Sequence, residues 1–250
     1  MTFMRFLTVI SLISVSFMTH AETTLVAVAA NFTKPMNDIA AAFEKSTGHT
    51  AKLSFGSSGK FVSQIENAAP FEVFLSADDK SPAKLAEKGL AVADSRFTYA
   101  IGKLVLWSSK ADFVDQDGEV LTKGGFKHIA LADPKLAPYG AAAVEVLKNK
   151  GLFDKLQTLF VLGENISQTH QFVSTGNAEL GFIALSQVLD NGKISGSAWQ
   201  VPDNLYNPIR QDAVLLKKGE GNPAATALLH YLKSDEAKAI ISKYGYALAN

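Results

Sequence analysis

The sequence predicts an α/β protein of two lobes separated by a cleft, each lobe a mostly parallel sheet flanked by helices. Three observations lead there. Beyond residue 21, apolar runs of strand length alternate with segments of helical period, the pattern of βα units on parallel sheets. Two stretches, "FTYAIGKLVLW" at 97–107 and "NLYNPIRQDAVLL" at 204–216, each run from an aromatic through a short extended segment into an apolar strand, and read as crossings between lobes. With 250 residues and 47% hydrophobic content, the chain has material for two cores. If both crossings hold, residues 22–100 and 207–250 form lobe one and residues 101–206 form lobe two. A single open sheet with ordinary internal strands is the competing arrangement.

In chain order the first element is a leader. Arg5 stands in a short n-region, "FLTVISLISVSFM" is an apolar run, and "THA" is a small-residue exit, together a secretory signal with cleavage after Ala21. The run is short for a membrane span, which needs about 20 such residues. A periplasmic location follows for the mature chain.

Next comes a strand at "TLVAVAA" and a helix at "KPMNDIAAAFEKST", where Pro35 suits a first turn because its missing N–H costs nothing there. "TAKLSFG" is a strand and "KFVSQIENA" the helix after it; "EVFLSAD" and "SPAKLAEKG" repeat the unit. Past the first crossing, "KLVLWSS" and "HIALAD" are strands, and "YGAAAVEVLKNK" is a helix with Pro138 at its start. Then come "TLFVLG" as strand, "SQTHQFVSTG" as helix and "LGFIAL" as strand. The second crossing leads to a strand at "DAVLLK", and helices at "NPAATALLHYLKS" and "DEAKAIISKYG" complete the chain. Thr33 and Ser167 are candidate N-caps.

Composition excludes several functions. No cysteine is present, so there is neither a disulfide framework nor a lipidated N-terminal cysteine. Of 24 basic residues, Arg5 lies in the leader, leaving 23 against 24 acidic ones, with no basic block or aromatic-basic stripe for nucleic acid. "SFGSSGKF" at 54–61 resembles a P-loop, but Ser54 stands where its first glycine belongs and Phe61 where its hydroxyl belongs. No GxSxG elbow is found. The mature histidines, His49, His128, His170 and His230, lack metal-ligand spacing. "DFVDQDGEV" at 112–120 fails as an EF-hand, with Phe113 and Gly124 at ligand positions. Asp78 and Asp79 are better placed as charges at a helix start than as a catalytic pair. The protein is therefore not expected to be an enzyme.

Ligands of parallel α/β sheets sit beyond the carboxyl ends of the strands, where the helices begin. Four such turns are rich in hydroxyl, amide and small residues: "AANFTKP" at 29–35, "GSSGK" at 56–60, "LAPYG" at 136–140 and "GENISQT" at 163–169. Taken singly, each is ordinary capping chemistry. Two belong to each proposed lobe, so closure would aim four helix starts at one volume, and helix starts favour anions. Donors abound there and acceptors are few, Glu164 being expected to face solvent. That favours sulfate, molybdate or tungstate, which are fully ionised, over phosphate, whose proton needs an acceptor. About five to seven charge-assisted bonds of roughly 1.5–3 kcal/mol each could still net about −8 to −12 kcal/mol after ordering losses.

These segments resemble a known family, the periplasmic molybdate-binding proteins of ABC transporters. "AVAANFTKPMNDIA", "SFGSSGKF", "NAAPFEVFLSADDKSPAKL", "FTYAIGKLVLW", "IALADPKLAPYG", "LGFIAL" and "YGYAL" are similar to that family's successive signatures, over essentially the whole mature chain. The resemblance implies a class II periplasmic-binding-protein fold with two hinge crossings and no cofactor. It further implies a monomer that closes over molybdate or tungstate and delivers it to a membrane permease and ATPase. By position, it implies Ala30 and Asn31 from the first turn, Ser57 and Ser58 from the second, Tyr139 from the third, and Ile166 through its backbone N–H from the fourth. Ala30 lacks the hydroxyl usual near that place. Ala184 stands where many members carry a tyrosine, while Tyr139 matches a branch that carries it in the Pro-x-Gly turn. Another tetrahedral oxyanion such as sulfate or chromate, and a role as an exported anion sensor, are the alternatives.

Overall fold

Thr23–Ala29 forms β1, in which Val26, Ala27 and Val28 are all fully buried. Because both faces of this strand are apolar, it can only lie inside a sheet covered on both sides. The structure, a computed structural model, describes residues 21–249, and the leader expected at the N-terminus lies outside them apart from Ala21. After a 3-10 turn at Ala30–Phe32 comes α1 (Thr33–Thr47), which buries Met36, Ile39 and Phe43 along one stripe. β2 (Thr50–Gly56) and α2 (Ser58–Glu66) follow, then β3 (Val73–Leu75) and α3 (Lys80–Glu87).

β4 (Phe97–Gly102) leads into β5 (Leu104–Ser108) with Lys103 alone between them, and at that point the chain leaves the first sheet for the second. There it forms α4 (Val120–Lys123), β6 (Ile129–Ala132), α5 (Pro138–Asn149), α6 (Phe153–Leu156), β7 (Phe160–Gly163) and α7 (Ile166–Ser174). β8 (Leu180–Ala184), α8 (Leu185–Val188), a ribbon of β9 (Leu189–Asp190) with β10 (Lys193–Ile194), and β11 (Ser197–Gln200) complete that half. The chain returns through Tyr206 to β12 (Ile209–Leu215) of the first sheet and ends with α9 (Pro223–Tyr231) and α10 (Asp235–Lys243).

The first sheet has the order β2-β1-β3-β12-β4 and the second β11-β5-β8-β6-β7. Pairing is parallel among β2, β1 and β3, and among β7, β6 and β8. β12 runs against both its neighbours, and so does β5. In each sheet four of five strands thus share a direction, and the reversed one is the strand by which the chain enters from the other lobe. The sheets are accordingly mixed, each with parallel and antiparallel pairs.

Each sheet is covered on both faces. In lobe one, Val26, Val28, Phe32 and Phe43 pack with α1, α9 and α10, while Ala27, Phe61, Phe74 and Leu85 pack with α2 and α3. In lobe two, Leu106, Leu131, Phe182 and Leu147 form the larger core, and Trp107, Ile183 and Val173 the smaller. The two-lobed α/β arrangement expected from the sequence is the observed one. β4 belongs to the sheet instead of merely spanning the lobes, and the short elements α4, α6, α8 and β9 to β11 carry too few apolar residues to register as periodic runs.

Candidate functional site

The turns that follow β1, β2, β6 and β7 meet where the lobes face each other. Ala30, Asn31, Ser57, Ser58, Tyr139 and Ile166, the six residues singled out in the sequence, all line one small cavity. Ala29, Gly56, Ala77, Ala137, Pro138 and Asn165 complete its wall. Each of the six is at most 5% exposed. The enclosed cavity volume is about 10 Å³, far below the roughly 300–1,000 Å³ usual for organic ligands, so the space suits only a compact one.

Among the described residues no lysine, arginine, histidine, aspartate or glutamate lines this space. Its one titratable group is the Tyr139 phenol, which burial holds well above its ordinary pKa, so it stays a neutral donor at physiological pH. Its polar side chains are therefore neutral ones.

Ser57 Oγ is buried and has no hydrogen-bond partner among the described residues. Most buried hydroxyls are satisfied, so this one has a donor to spare at the cavity wall. Ser58 Oγ accepts the Ala77 N–H at 2.9 Å and keeps its own proton. α2 begins at Ser58, α5 at Pro138 and α7 at Ile166, and first-turn amides have no partner inside their own helix. In α7 the Asn165 side chain takes the amides of Ser167 and Gln168 at 3.0 and 3.1 Å, leaving that of Ile166 outside the cap. Three helix starts thus point positive dipole ends at one small volume.

Capping differs in detail from the sequence expectation. Asn165, not Ser167, is the N-cap of α7; Ser167 sits two residues later and sends its hydroxyl to Ala30 O at 3.2 Å. Thr33 lies within the first turn of α1, with its hydroxyl also on Ala30 O at 2.8 Å. Asp78 takes the amide and hydroxyl of Ser81 at 2.7 and 3.1 Å at the start of α3, the helix-start role expected of it. Burial pushes its carboxyl up from the ordinary range, although the Ser81 bonds oppose the shift.

The lobes are closed on one another. The Gly59 amide donates to Leu136 O at 2.9 Å, Ser186 Oγ to Asn31 O at 2.9 Å, and Lys34 Nζ to Gln187 O at 2.9 Å. At the rim Lys60 and Glu164 form an ion pair at 2.5 Å with both side chains about half exposed. Glu164 therefore points away from the cavity, as expected, but onto Lys60 instead of into open solvent. Gly140 lets α5 start hard against β6, since a Cβ there would fall 2.0 Å from Ala132 O.

Behind the cavity lies a buried network that the sequence did not reveal. Asn31 Nδ2 donates to Gln211 Oε1 and to the Tyr246 hydroxyl, each at 2.9 Å. Tyr246 donates to Asn31 O at 2.8 Å, and Tyr99 donates to Ser76 O and Gln211 Oε1 at 3.0 and 3.1 Å. Gln211 Nε2 donates to the Tyr139 hydroxyl at 3.1 Å. Burial pushes the Tyr246 phenol up to about 12 and Tyr99 well above its usual value, so these groups stay protonated. In sequence, Gln211 is hidden inside the polar run "RQD", and Tyr246 stands in the segment "YGYAL" near the chain end.

Comparison with known proteins follows the same lines. The model of the family described as bacterial extracellular solute-binding protein matches residues 24–247. The molybdate-binding protein ModA of Azotobacter vinelandii is 61% identical over 224 residues, 89% of each chain. That of Rhodobacter capsulatus is 55% identical over 222 residues, covering 89% of this chain and 87% of the relative. Among solved structures, a periplasmic molybdate-binding protein of Azotobacter vinelandii superposes with a TM-score of 0.89 at 45% identity, covering 91% of this chain and all of that one.

Proposed function

The chain belongs to the bacterial extracellular solute-binding protein family, and from that premise we propose that it is the molybdate-binding component of an ABC importer. It captures molybdate or tungstate in the interlobe cavity and presents the closed form to a membrane permease. It works in the periplasm as a monomer, catalyses no reaction and uses no cofactor, the oxyanion being cargo. Two relatives named for molybdate binding, at 61% and 55% identity, support the ligand. Among the described residues no helix is long and apolar enough to cross a membrane.

The observation that carries the assignment of the site is the unpartnered, buried Ser57 hydroxyl beside the Ser58 hydroxyl, in a neutral cavity at three helix starts. An oxyanion supplies acceptors for these donors at once. Ser57, Ser58, Tyr139 and the Ile166 amide are assigned as donors, and the first turn contributes backbone around Ala30 and Asn31, whose side-chain nitrogen is already committed to Gln211 and Tyr246.

Closure can be driven by the anion only if the anion bonds both lobes. Ser57 and Ser58 stand on the first lobe, Tyr139 and Ile166 on the second, which supplies that condition. The chain passes between sheets at Lys103 and between Gln200 and Ile209, and we assign the hinge to these two links, with residues 22–102 and 209–249 moving against residues 104–200.

Isothermal titration of residues 22–250 with molybdate, tungstate, sulfate and phosphate tests the assignment. Tight one-to-one binding of the first two, with the others much weaker, is expected. Tight sulfate binding, or no response to molybdate, would refute it.

A further inference from the structure

We infer that Gln211 is a positioning residue that fixes the proton of Tyr139 as a donor to the anion and so sets the site's preference for oxyanions that carry no proton. The inference rests on the assignment of the cavity to an oxyanion. Gln211 is fully buried on β12 of the first lobe, while Tyr139 belongs to α5 of the second. Their bond of 3.1 Å therefore exists only when the lobes are closed.

The direction of that bond follows from the other end of the amide. Gln211 Oε1 accepts from Asn31 Nδ2 at 2.9 Å and from Tyr99 at 3.1 Å. Asn31 Nδ2 is a donor only, and it holds the carbonyl end of Gln211 towards itself. Nε2 must then face Tyr139 and donate to it. A phenol oxygen that accepts this bond keeps its own proton for another partner. The Tyr246 oxygen, which accepts from Asn31 Nδ2 at 2.9 Å and lies 3.0 Å from Ser186 Oγ, is the competing acceptor for that proton, and the phenol gives up this bond when it turns its proton to the anion. The phenol is also confined sterically, because a side chain on Gly102 would place its Cβ 2.1 Å from the Tyr139 hydroxyl and 2.6 Å from Gln211 Nε2.

With Gln211 in place, the phenol offers the cavity a proton. A fully ionised oxyanion accepts it, whereas hydrogen phosphate brings a proton of its own that finds no acceptor there. Replacing Gln211 by a group that accepts from Tyr139, or by none, frees the phenol to present its lone pair instead. Discrimination against the protonated anion should then fall.

The test compares molybdate and phosphate binding by titration calorimetry at pH 7 in wild type, Gln211→Glu, Gln211→Met, Tyr139→Phe and the Gln211→Met/Tyr139→Phe double variant. Expected is a loss of about tenfold in molybdate affinity for Gln211→Met, the scale of one hydrogen bond. The molybdate-to-phosphate ratio should drop by at least that factor in Gln211→Met and further in Gln211→Glu. In the Tyr139→Phe background Gln211→Met should cost almost nothing more, because its effect runs through the phenol. If both Gln211 variants weaken the two anions equally, or if the two losses simply add, Gln211 only supports packing and the inference is wrong. Should Gln211→Glu not fold, the Gln211→Met cycle alone decides. Failure of wild type to bind molybdate would instead overturn the underlying assignment of the cavity.

Discussion

Ser57→Ala separates binding from stability, because this hydroxyl is a liability without ligand and an asset with it. Its Oγ is buried with no partner, in a residue 3% exposed. An unpaired buried hydroxyl costs the closed, empty form about 1–3 kcal/mol. Bonded to an oxyanion, the same group contributes about 1.5–3 kcal/mol, a charge-assisted bond. Removing it should weaken molybdate binding about 10- to 150-fold. The unliganded protein should melt no lower than wild type, and any gain should follow the scale of about 2–4 °C per kcal/mol for a chain of this size. Calorimetric titration gives the first quantity, and thermal melts with and without molybdate give the second. The rise in Tm caused by ligand should shrink accordingly. Unchanged affinity with a lower Tm would show that Ser57 is a structural hydroxyl and refute the reasoning.

Three further predictions follow from the same geometry. Lys60→Met removes the rim ion pair with Glu164, whose two side chains are 50% and 45% exposed; molybdate affinity should fall by no more than about fivefold, since exposed pairs contribute at most about 1 kcal/mol, and the difference should fade at high salt in titrations. Gly140→Ala drives a Cβ to 2.0 Å from Ala132 O and should cost several kcal/mol, on the order of 3 or more, seen as a large drop in the denaturation midpoint. His170, stacked on Trp107 at 5.1 Å, is held below its usual pKa of 6.5, first by burial and then by Lys34. The unfolded state then binds the extra proton, so stability rises with pH up to about 6.5 and is lost below it; His170→Gln should flatten that acid limb in urea melts between pH 5 and 7.

What the sequence made legible and what it hid divide along physical lines. Long periodic segments such as 33–47 and 138–149 announce themselves, because burial of one face forces apolar spacing. The four turns of the cavity wall were legible because small and hydroxylic residues gather at helix starts, whereas Ser57, Ser58, Tyr139 and Ile166 were singled out within them by the family resemblance. Gln211 left no signal, since a polar residue between Arg210 and Asp212 on a strand reads as solvated until pairing with β3 and β4 buries it. Tyr246 was hidden by its place near the chain end, where only the pairing of Ala247 with Ile101 brings its hydroxyl beside Asn31. Contacts between residues 31, 139, 211 and 246 depend on two sheets meeting, which no local pattern encodes.

The central claim, that a molybdate ion sits among neutral donors between the lobes, is tested most directly by crystals of residues 22–250 grown with molybdate and measured at the molybdenum absorption edge. A single anomalous peak should fall in the cavity, with oxygens within about 3 Å of the Ser57 and Ser58 hydroxyls, the Tyr139 phenol and the Ile166 amide. A molybdenum peak outside the cavity, or one inside it that contacts only one lobe, would contradict the account.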